Sequence, residues 1–304
     1  MDKNFVSQSY SPGLMKILLA EHFGMCFGVR AAIAQAEALA AAGTLTILGE
    51  LVHNPLVRER LRARGVSEGA LAADTKAGAA PDVMITAHGA SDVRRKEWSE
   101  AGYKVADGTC PLVRHAHRQL RDLVASGFFP VVIGQAGHVE VLGLTEDFPD
   151  AVVIGHLADI AGLPRAKRYG IISQTTQSIE RVHELVAEIR RTSPGAEIRF
   201  ADTVCKPTKD RQLALQRLLA QAELIVVVGG RASNNTRELV QTCRAAGRRA
   251  IHIERAEELV PADFENIAVV GITAGTSTLR ETVDSAIARL RLISETKPRT
   301  ESNP

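Results

Sequence analysis

The sequence predicts an α/β protein of three small lobes with mainly parallel sheets, arranged with pseudo-threefold symmetry around a central site. Three observations lead there. Short apolar runs alternate with Ala-, Leu- and Glu-rich stretches, the pattern of parallel strands joined by right-handed crossover helices. Three cysteines, Cys26, Cys110 and Cys205, recur at intervals of about one small α/β domain. Each has a strand-like run before it and a helix-like run after it, the self-similarity expected of a repeat.

In chain order, Lys16 to Ala20, Tyr103 to Ala106 and Glu197 to Ala201 are the apolar or alternating runs that precede the cysteines. Val29 to Ala42, Leu112 to Ala125 and Gln212 to Ala222 follow with apolar residues at helical spacing. A second strand comes next in each repeat: Leu45 to Leu48, Phe129 to Ile133 and Leu224 to Val228. These runs exit into Gly49-Glu50-Leu51-Val52-His53-Asn54, Gly134-Gln135-Ala136-Gly137-His138-Val139-Glu140 and Gly229-Gly230-Arg231-Ala232-Ser233-Asn234-Asn235. A later strand ends similarly at Ala87-His88-Gly89, Gln174-Thr175-Thr176 and Gly275-Thr276-Ser277. Ligands of open parallel sheets bind beyond the carboxyl ends of the strands, so these polar exits and the three thiols are expected on one face. The expected lobes are 15–109, 110–204 and 205–292, with flexible ends at 1–14 and 293–304.

Composition narrows the function. Among 304 residues, 37 Lys and Arg against 35 Asp and Glu leave too small an excess for non-specific nucleic-acid binding. Aromatic residues are 4%, too few for base-stacking platforms. The longest apolar runs fall far short of the roughly 20 residues of a membrane span. The polar start and the Lys16 that breaks the first apolar run argue against a secretory signal. Four widely spaced cysteines form neither a disulfide framework nor a paired-cysteine zinc ribbon, and a reducing cytoplasm is the expected compartment.

A cysteine at the first turn of a helix has its thiolate favoured by exposed N–H groups and the helix dipole. Three such thiols offer a soft trigonal site for zinc or for an iron–sulfur cluster. A cubane given three ligands keeps one iron open as a Lewis acid, which suits reductive removal of a hydroxyl. A single buried cysteine is more often core filler, and Cys243, on an apparent helix over Arg237 to Ala246, is read that way. Recurrence sets the other three apart. His53, His88 and His138 would each alone be read as a capping or packed residue. Together with Thr175, Ser233, Asn235 and Ser277 at matching exits they form a donor set for a phosphate or diphosphate. No Walker loop or dinucleotide fingerprint is present, so that phosphate belongs to a substrate. Glu140, two residues beyond His138, is the best-placed carboxylate for delivering a proton from a dry pocket. Its plainer reading is a solvated loop acid.

These fragments in this order resemble the 4-hydroxy-3-methylbut-2-enyl diphosphate reductase family of iron–sulfur enzymes. The resemblance covers about Lys16 to Arg291. It is carried by Gly24-Met25-Cys26-Phe27-Gly28-Val29, Val52-His53-Asn54, Ala87-His88-Gly89, Asp107-Gly108-Thr109-Cys110-Pro111, Gly137-His138-Val139-Glu140, Gln174-Thr175-Thr176, Asp202-Thr203-Val204-Cys205 with Thr208, Arg211 and Gln212, Ser233-Asn234-Asn235 and Thr273-Ala274-Gly275-Thr276-Ser277.

The resemblance implies one [4Fe–4S] cluster per chain, held by Cys26, Cys110 and Cys205. It implies that His53, His88, His138, Ser233, Asn234, Asn235 and Ser277 bind the diphosphate, that Thr175 bonds to the substrate hydroxyl, and that Glu140 supplies protons. Two electrons and two protons would expel water from the allylic diphosphate and give isopentenyl and dimethylallyl diphosphate, the last step of the non-mevalonate pathway. Ferredoxin or flavodoxin would be the electron donor, and the protein a monomer or homodimer without nucleic-acid or membrane partners. Phe27, Val139, Asn234 and Asp210 depart from the family's usual Ala, Pro, Ser and Asn, and none of them removes a proposed ligand or acid. From the residues alone, a zinc-dependent hydrolase using the same thiols and a non-catalytic iron–sulfur redox sensor stay open beside the reductase.

Overall fold

The computed structural model describes residues 14–71 and 82–296. The chain begins with β1 (Lys16–Leu19), α1 (Phe27–Ala42), β2 (Leu45–Leu48), α2 (Pro55–Arg62), β3 (Ser67–Gly69), β4 (Asp82–Ile85), α3 (Asp92–Glu100) and β5 (Lys104–Asp107). The middle third continues with α4 (Pro111–Ala125), β6 (Phe129–Ile133), α5 (Val139–Thr145), β7 (Val152–Ile154), β8 (Arg168–Ser173), α6 (Ile179–Thr192) and β9 (Glu197–Phe200). The last third holds α7 (Lys206–Leu219), β10 (Leu224–Val228), α8 (Asn234–Ala245), β11 (Arg249–Ile253), β12 (Val269–Ala274) and α9 (Arg280–Glu295).

The strands form three four-stranded sheets, ordered β3-β2-β4-β5, β7-β6-β8-β9 and β1-β12-β10-β11. Every pairing in them is parallel. The same order recurs because each repeat is the same β/α unit, and three parallel four-stranded sheets are the α/β fold class expected from the sequence. One strand changes lobe. β1 pairs with β12, Lys16 opposite Val269 and Leu19 opposite Ile272, so it completes the last sheet instead of opening the first. The rule behind this is uniform: the strand before each cysteine is the edge of the sheet that belongs to the preceding repeat, and for Cys26 that repeat is the last one.

β10 shows how the sheets are held. Leu224, Val226 and Val228 pack into one core with Phe264, Ile272 and Leu290, while Ile225 and Val227 pack into a second with Leu215, Leu239 and Cys243. Alternation by two sends neighbouring side chains to opposite faces, and helices cover both, so the strand reads as an unbroken apolar run. Burying each of these five side chains contributes about 1.5–3 kcal/mol relative to leaving it exposed. Cys243 is fully buried and burial pushes its thiol up to about 12, which bears out its reading as core.

Two boundaries differ from expectation. α7 starts at Lys206, well before Gln212, because Pro207 is tolerated in a first turn and Lys206 reaches Asp210 one turn on at 2.8 Å. α9 runs to Glu295 and buries Ile293 and Ser294, whose Oγ accepts the Met15 N–H at 2.8 Å, so the start of the expected tail is packed helix. The expected ends at 1–13 and 297–304 lie outside the described residues. Among the described residues no helix is long and apolar enough to cross a membrane.

The chain divides into two compact units, one of residues 1–26 with 206–304 and one of 27–205. The second unit holds two of the sheets and the first unit holds the third.

Candidate active site

Each recurrent cysteine stands at a strand-to-helix turn, as its flanking sequence predicts. Cys26 immediately precedes α1, Cys110 is the N-cap residue of α4 with Pro111 at the next position, and Cys205 immediately precedes α7. The amide of each donates to a carbonyl at a strand exit: Cys26 to Thr276 at 3.0 Å, Cys110 to Ala87 at 3.1 Å and Cys205 to Thr175 at 2.9 Å. One bond, made three times, ties each thiol-bearing turn to a loop that carries polar site residues. All three cysteines are half-buried and none of the four is in a disulfide.

Gly28 shows how tightly Cys110 is seated. A Cβ added there would lie 2.4 Å from Cys110 Sγ, so a side chain at this position displaces the sulfur. The helix-propensity gain of about 1 kcal/mol in Gly28→Ala is offset by overpacking of about 1–3 kcal/mol. The variant should therefore keep nearly wild-type stability in urea while binding iron about tenfold more weakly, the scale for disturbing a group that orients a ligand. Iron and sulfide per chain after anaerobic purification measure it.

In the second unit the three predicted histidines come together. His53 follows β2, His88 follows β4, and His138 caps α5 beyond β6. Their ring centroids lie 4.4 Å apart for His53 and His88, 5.5 Å for His53 and His138, and 5.7 Å for His88 and His138. Gly137, at φ +79° immediately before His138, supplies a left-handed turn with open space around it. His138 Nδ1 accepts the Glu140 N–H at 3.1 Å, and His53 Nδ1 sits 2.9 Å from Glu50 Oε2. Burial, then the neighbouring His53 and His138, hold His88 well below the usual imidazole range, against a bond to the Glu50 carbonyl that acts the other way.

Glu140 is 2% exposed, which overturns the solvated-loop alternative. Its Oε1 accepts the Thr175 N–H at 2.6 Å and its Oε2 accepts the Thr175 hydroxyl at 3.1 Å. Burial raises the carboxyl to about 7 even though both Thr175 bonds pull it down. A raised carboxyl keeps its proton in the folded protein after the unfolded chain has lost it, so stability falls as pH rises from about 4.5 to about 7. The loss should total about 3 kcal/mol and vanish in Glu140→Gln. Urea unfolding of both proteins at pH 5 and pH 8 measures it.

The turn before Cys110 is also braced. Asp107 Oδ1 accepts the Thr109 N–H at 2.9 Å and the Thr109 hydroxyl, and Arg95 bonds to both Asp107 and Thr109. The Asp107 carboxyl ends below its usual range because the Thr109 and Arg95 bonds outweigh its opposing burial.

The first unit gathers the remaining predicted residues. Ser233 caps α8, and Asn234 and Asn235 are buried in its first turn. Asn235 Oδ1 accepts the Thr276 N–H at 3.1 Å, beside the buried Ser277 and next to the carbonyl that holds Cys26, while the buried Asn235 Nδ2 has no partner. Arg211 Nη1 donates to the Pro207 carbonyl at 2.6 Å and Nη2 to the Gly24 carbonyl, bracing the segment before Cys26. The candidate residues thus fall into two sets. Cys110, Cys205, the three histidines, Glu140 and Thr175 lie in the second unit; Cys26, Ser233, Asn234, Asn235 and Ser277 lie in the first.

Glu50 is the residue that sequence reasoning passed over. The signal was an acid three positions before His53 in the same strand exit. Of the four departures, Phe27 is exposed at the start of α1, Val139 is half-buried in α5, and Asn234 is buried. Asp210 is explained by its pair with Lys206.

The model of the LytB protein family matches residues 17–291. The chain belongs to that family. A 4-hydroxy-3-methylbut-2-enyl diphosphate reductase of Geobacter metallireducens is 36% identical over 285 residues, covering 93% of this chain and 99% of that one. The enzyme of the same name from Aquifex aeolicus is 34% identical over 290 residues, covering 93% and 98%. A solved (E)-4-hydroxy-3-methyl-but-2-enyl diphosphate reductase, described as the terminal enzyme of the non-mevalonate pathway, is 32% identical with a TM-score of 0.64 over 92% of this chain and 100% of that one. The reductase structure from Plasmodium falciparum, at 23% identity, shares the fold with a TM-score of 0.84 over 91% of this chain and 88% of that one. The LytB relatives named here carry a reductase name, the class of the first reading of the three thiols.

Proposed function

We propose that this chain is a 4-hydroxy-3-methylbut-2-enyl diphosphate reductase. It removes the hydroxyl of the (E)-4-hydroxy-3-methylbut-2-enyl diphosphate as water, using two electrons and two protons, and forms isopentenyl and dimethylallyl diphosphate. The observation that carries this reading is the buried Glu140–Thr175 pair beside three clustered histidines. Such a site combines a proton source with an anion receptor.

Cys26, Cys110 and Cys205 would hold one [4Fe–4S] cluster. The residues fit it: three half-buried thiols outside disulfides, each at the start of a helix, with Gly28 leaving room at Cys110 Sγ. When bound, the cluster supplies electrons and a Lewis-acidic iron for the substrate oxygen.

The chain's own residues do the rest. His53, His88 and His138, with Ser233, Asn234, Asn235 and Ser277, hold the diphosphate and so fix which end of the substrate faces the thiols. In the acid form of Glu140 the carboxyl O–H donates to Thr175 Oγ1 across their 3.1 Å contact, which leaves the Thr175 hydroxyl proton for the substrate hydroxyl. Glu140 in its acid form delivers a proton through Thr175 to the departing oxygen, which leaves as water. A second proton on one or other end of the allylic fragment decides between the two products. With the Glu140 carboxyl at about 7, the acid form is available near neutrality. Ferredoxin or flavodoxin is the proposed electron donor, the cytoplasm the compartment, and a monomer or homodimer the assembly.

Anaerobically purified protein, assayed with reduced viologen and the hydroxylated diphosphate, tests the function. Turnover to both products is expected. A protein with iron and sulfide that gives no turnover under these conditions is a redox sensor and ends the proposal.

A further inference from the structure

We propose that the exposed face around Phe27 is the docking surface for the protein that delivers the electrons, and that its occupant is a small acidic flavoprotein of the flavodoxin kind. This rests on the reductase reading and on Cys110 as a ligand within it. It follows from what surrounds that thiol.

Phe27 is 47% exposed and opens α1 directly after Cys26 in the chain. Its neighbour Gly28 is the residue whose added Cβ would meet Cys110 Sγ at 2.4 Å, so the first turn of α1 lies against the second thiol. A single exposed apolar side chain is ordinary. This one gains meaning from the charges beside it. Four residues beyond each recurrent cysteine stands a cation: Arg30 after Cys26, Arg114 after Cys110 and Lys209 after Cys205. Helical side chains lean toward the N-terminus, so each of these leans back toward the turn that carries its thiol. Arg30 and Arg114 are exposed, as Phe27 is.

Positive charge is in excess on the α4 side of this face. Among the described residues Arg95, Arg114 and Arg121 form ion pairs with only two carboxylates, those of Asp107 and Asp92, so one charge is left over. Arg118, one turn beyond Arg114 on α4, is exposed and has no partner among the described residues. Cations beside an apolar ring draw in an acidic protein and repel a basic one. The ring itself suits a flavin, whose exposed edge is also apolar and aromatic. In one encounter the anionic flavin hydroquinone loses an electron and becomes the neutral semiquinone, and the centre held by the thiols gains that electron. No bond forms or breaks. Two encounters supply the two electrons of one turnover.

The test is calorimetric titration of the anaerobic holoenzyme with oxidised flavodoxin, beside turnover driven separately by reduced flavodoxin and by reduced viologen. Wild-type protein should bind flavodoxin, about tenfold more weakly as salt rises from about 0.05 M to about 0.3 M. Phe27→Ala should weaken binding about tenfold or more at both salts, the loss expected of an aromatic anchor. Arg118→Glu should weaken it about tenfold at low salt and little at high salt. Both side chains are exposed, so the variants should fold and keep their iron and their viologen-driven turnover, while flavodoxin-driven turnover falls with binding. Wild-type affinity in both variants overturns the proposal. So does a Phe27→Ala protein that loses viologen-driven turnover as well, because Phe27 would then act on the thiol centre and not on docking. An acidic ferredoxin that binds where flavodoxin does not overturns it too. The binding titration needs no turnover: wild-type protein that binds flavodoxin through Phe27 yet gives no turnover with viologen upholds the surface and rejects the reductase reading alone.

Discussion

Cys110→Ser should lose most of its iron and acid-labile sulfide and slow turnover at least about a hundredfold, while leaving the fold intact. The fold survives because Cys110 occupies the N-cap of α4 without a side-chain capping bond, and serine is a preferred residue there. The amide bond to Ala87 is a backbone bond and is unaffected. What changes is the donor, since a hydroxyl does not supply the soft anionic sulfur that an iron–sulfur cluster requires. Metal and sulfide analysis with far-UV circular dichroism checks both halves. A variant whose cubane survives unchanged would show that Cys110 is not a ligand. The same assay on wild-type protein decides the metal: near-equal iron and sulfide are expected, and stoichiometric zinc without sulfide would point to the hydrolase.

Replacing Glu140 by glutamine should retain the cluster and slow turnover by about 10²–10⁴, the range for losing a positioned general acid. The amide can still accept from Thr175, so the local bonds persist in part and only the transferable proton is gone. The pH profile provides the sharper readout. In the wild type the rate should fall as pH rises through about 7, where the carboxyl loses its proton. That limb should be absent from the variant. Full activity, or an unchanged profile, would place the proton donor elsewhere.

Much of the molecule was legible in its sequence because the repeat writes each feature three times. Leu45–Leu48, Phe129–Ile133 and Leu224–Val228 form strands over the residues expected, since each is an apolar run too short for a helix and bounded by turn residues. The histidines were legible as a group from their equivalent strand exits, and their ring contacts follow from that equivalence. The placement of β1 was not. Its partner β12 lies at the other end of the chain, and parallel pairing at that separation leaves no local pattern. The early start of α7 was hidden because its first turn is polar and its support is an ion pair. Glu50 was hidden because an acid in a loop is usually solvated, and only the position of His53 gives it a task.

The pairing of β1 with β12 also bears on biosynthesis. During translation the first strand emerges with nothing to pair to, and at about 5–20 residues per second its partner follows only after roughly 10–50 s. The contiguous stretch from Phe27 to Cys205 can collapse on the ribosome in the meantime. Cys26 has to wait, because the carbonyl that anchors its amide belongs to Thr276. Maturation of any centre that needs this thiol is thereby deferred until the nascent polypeptide is nearly finished.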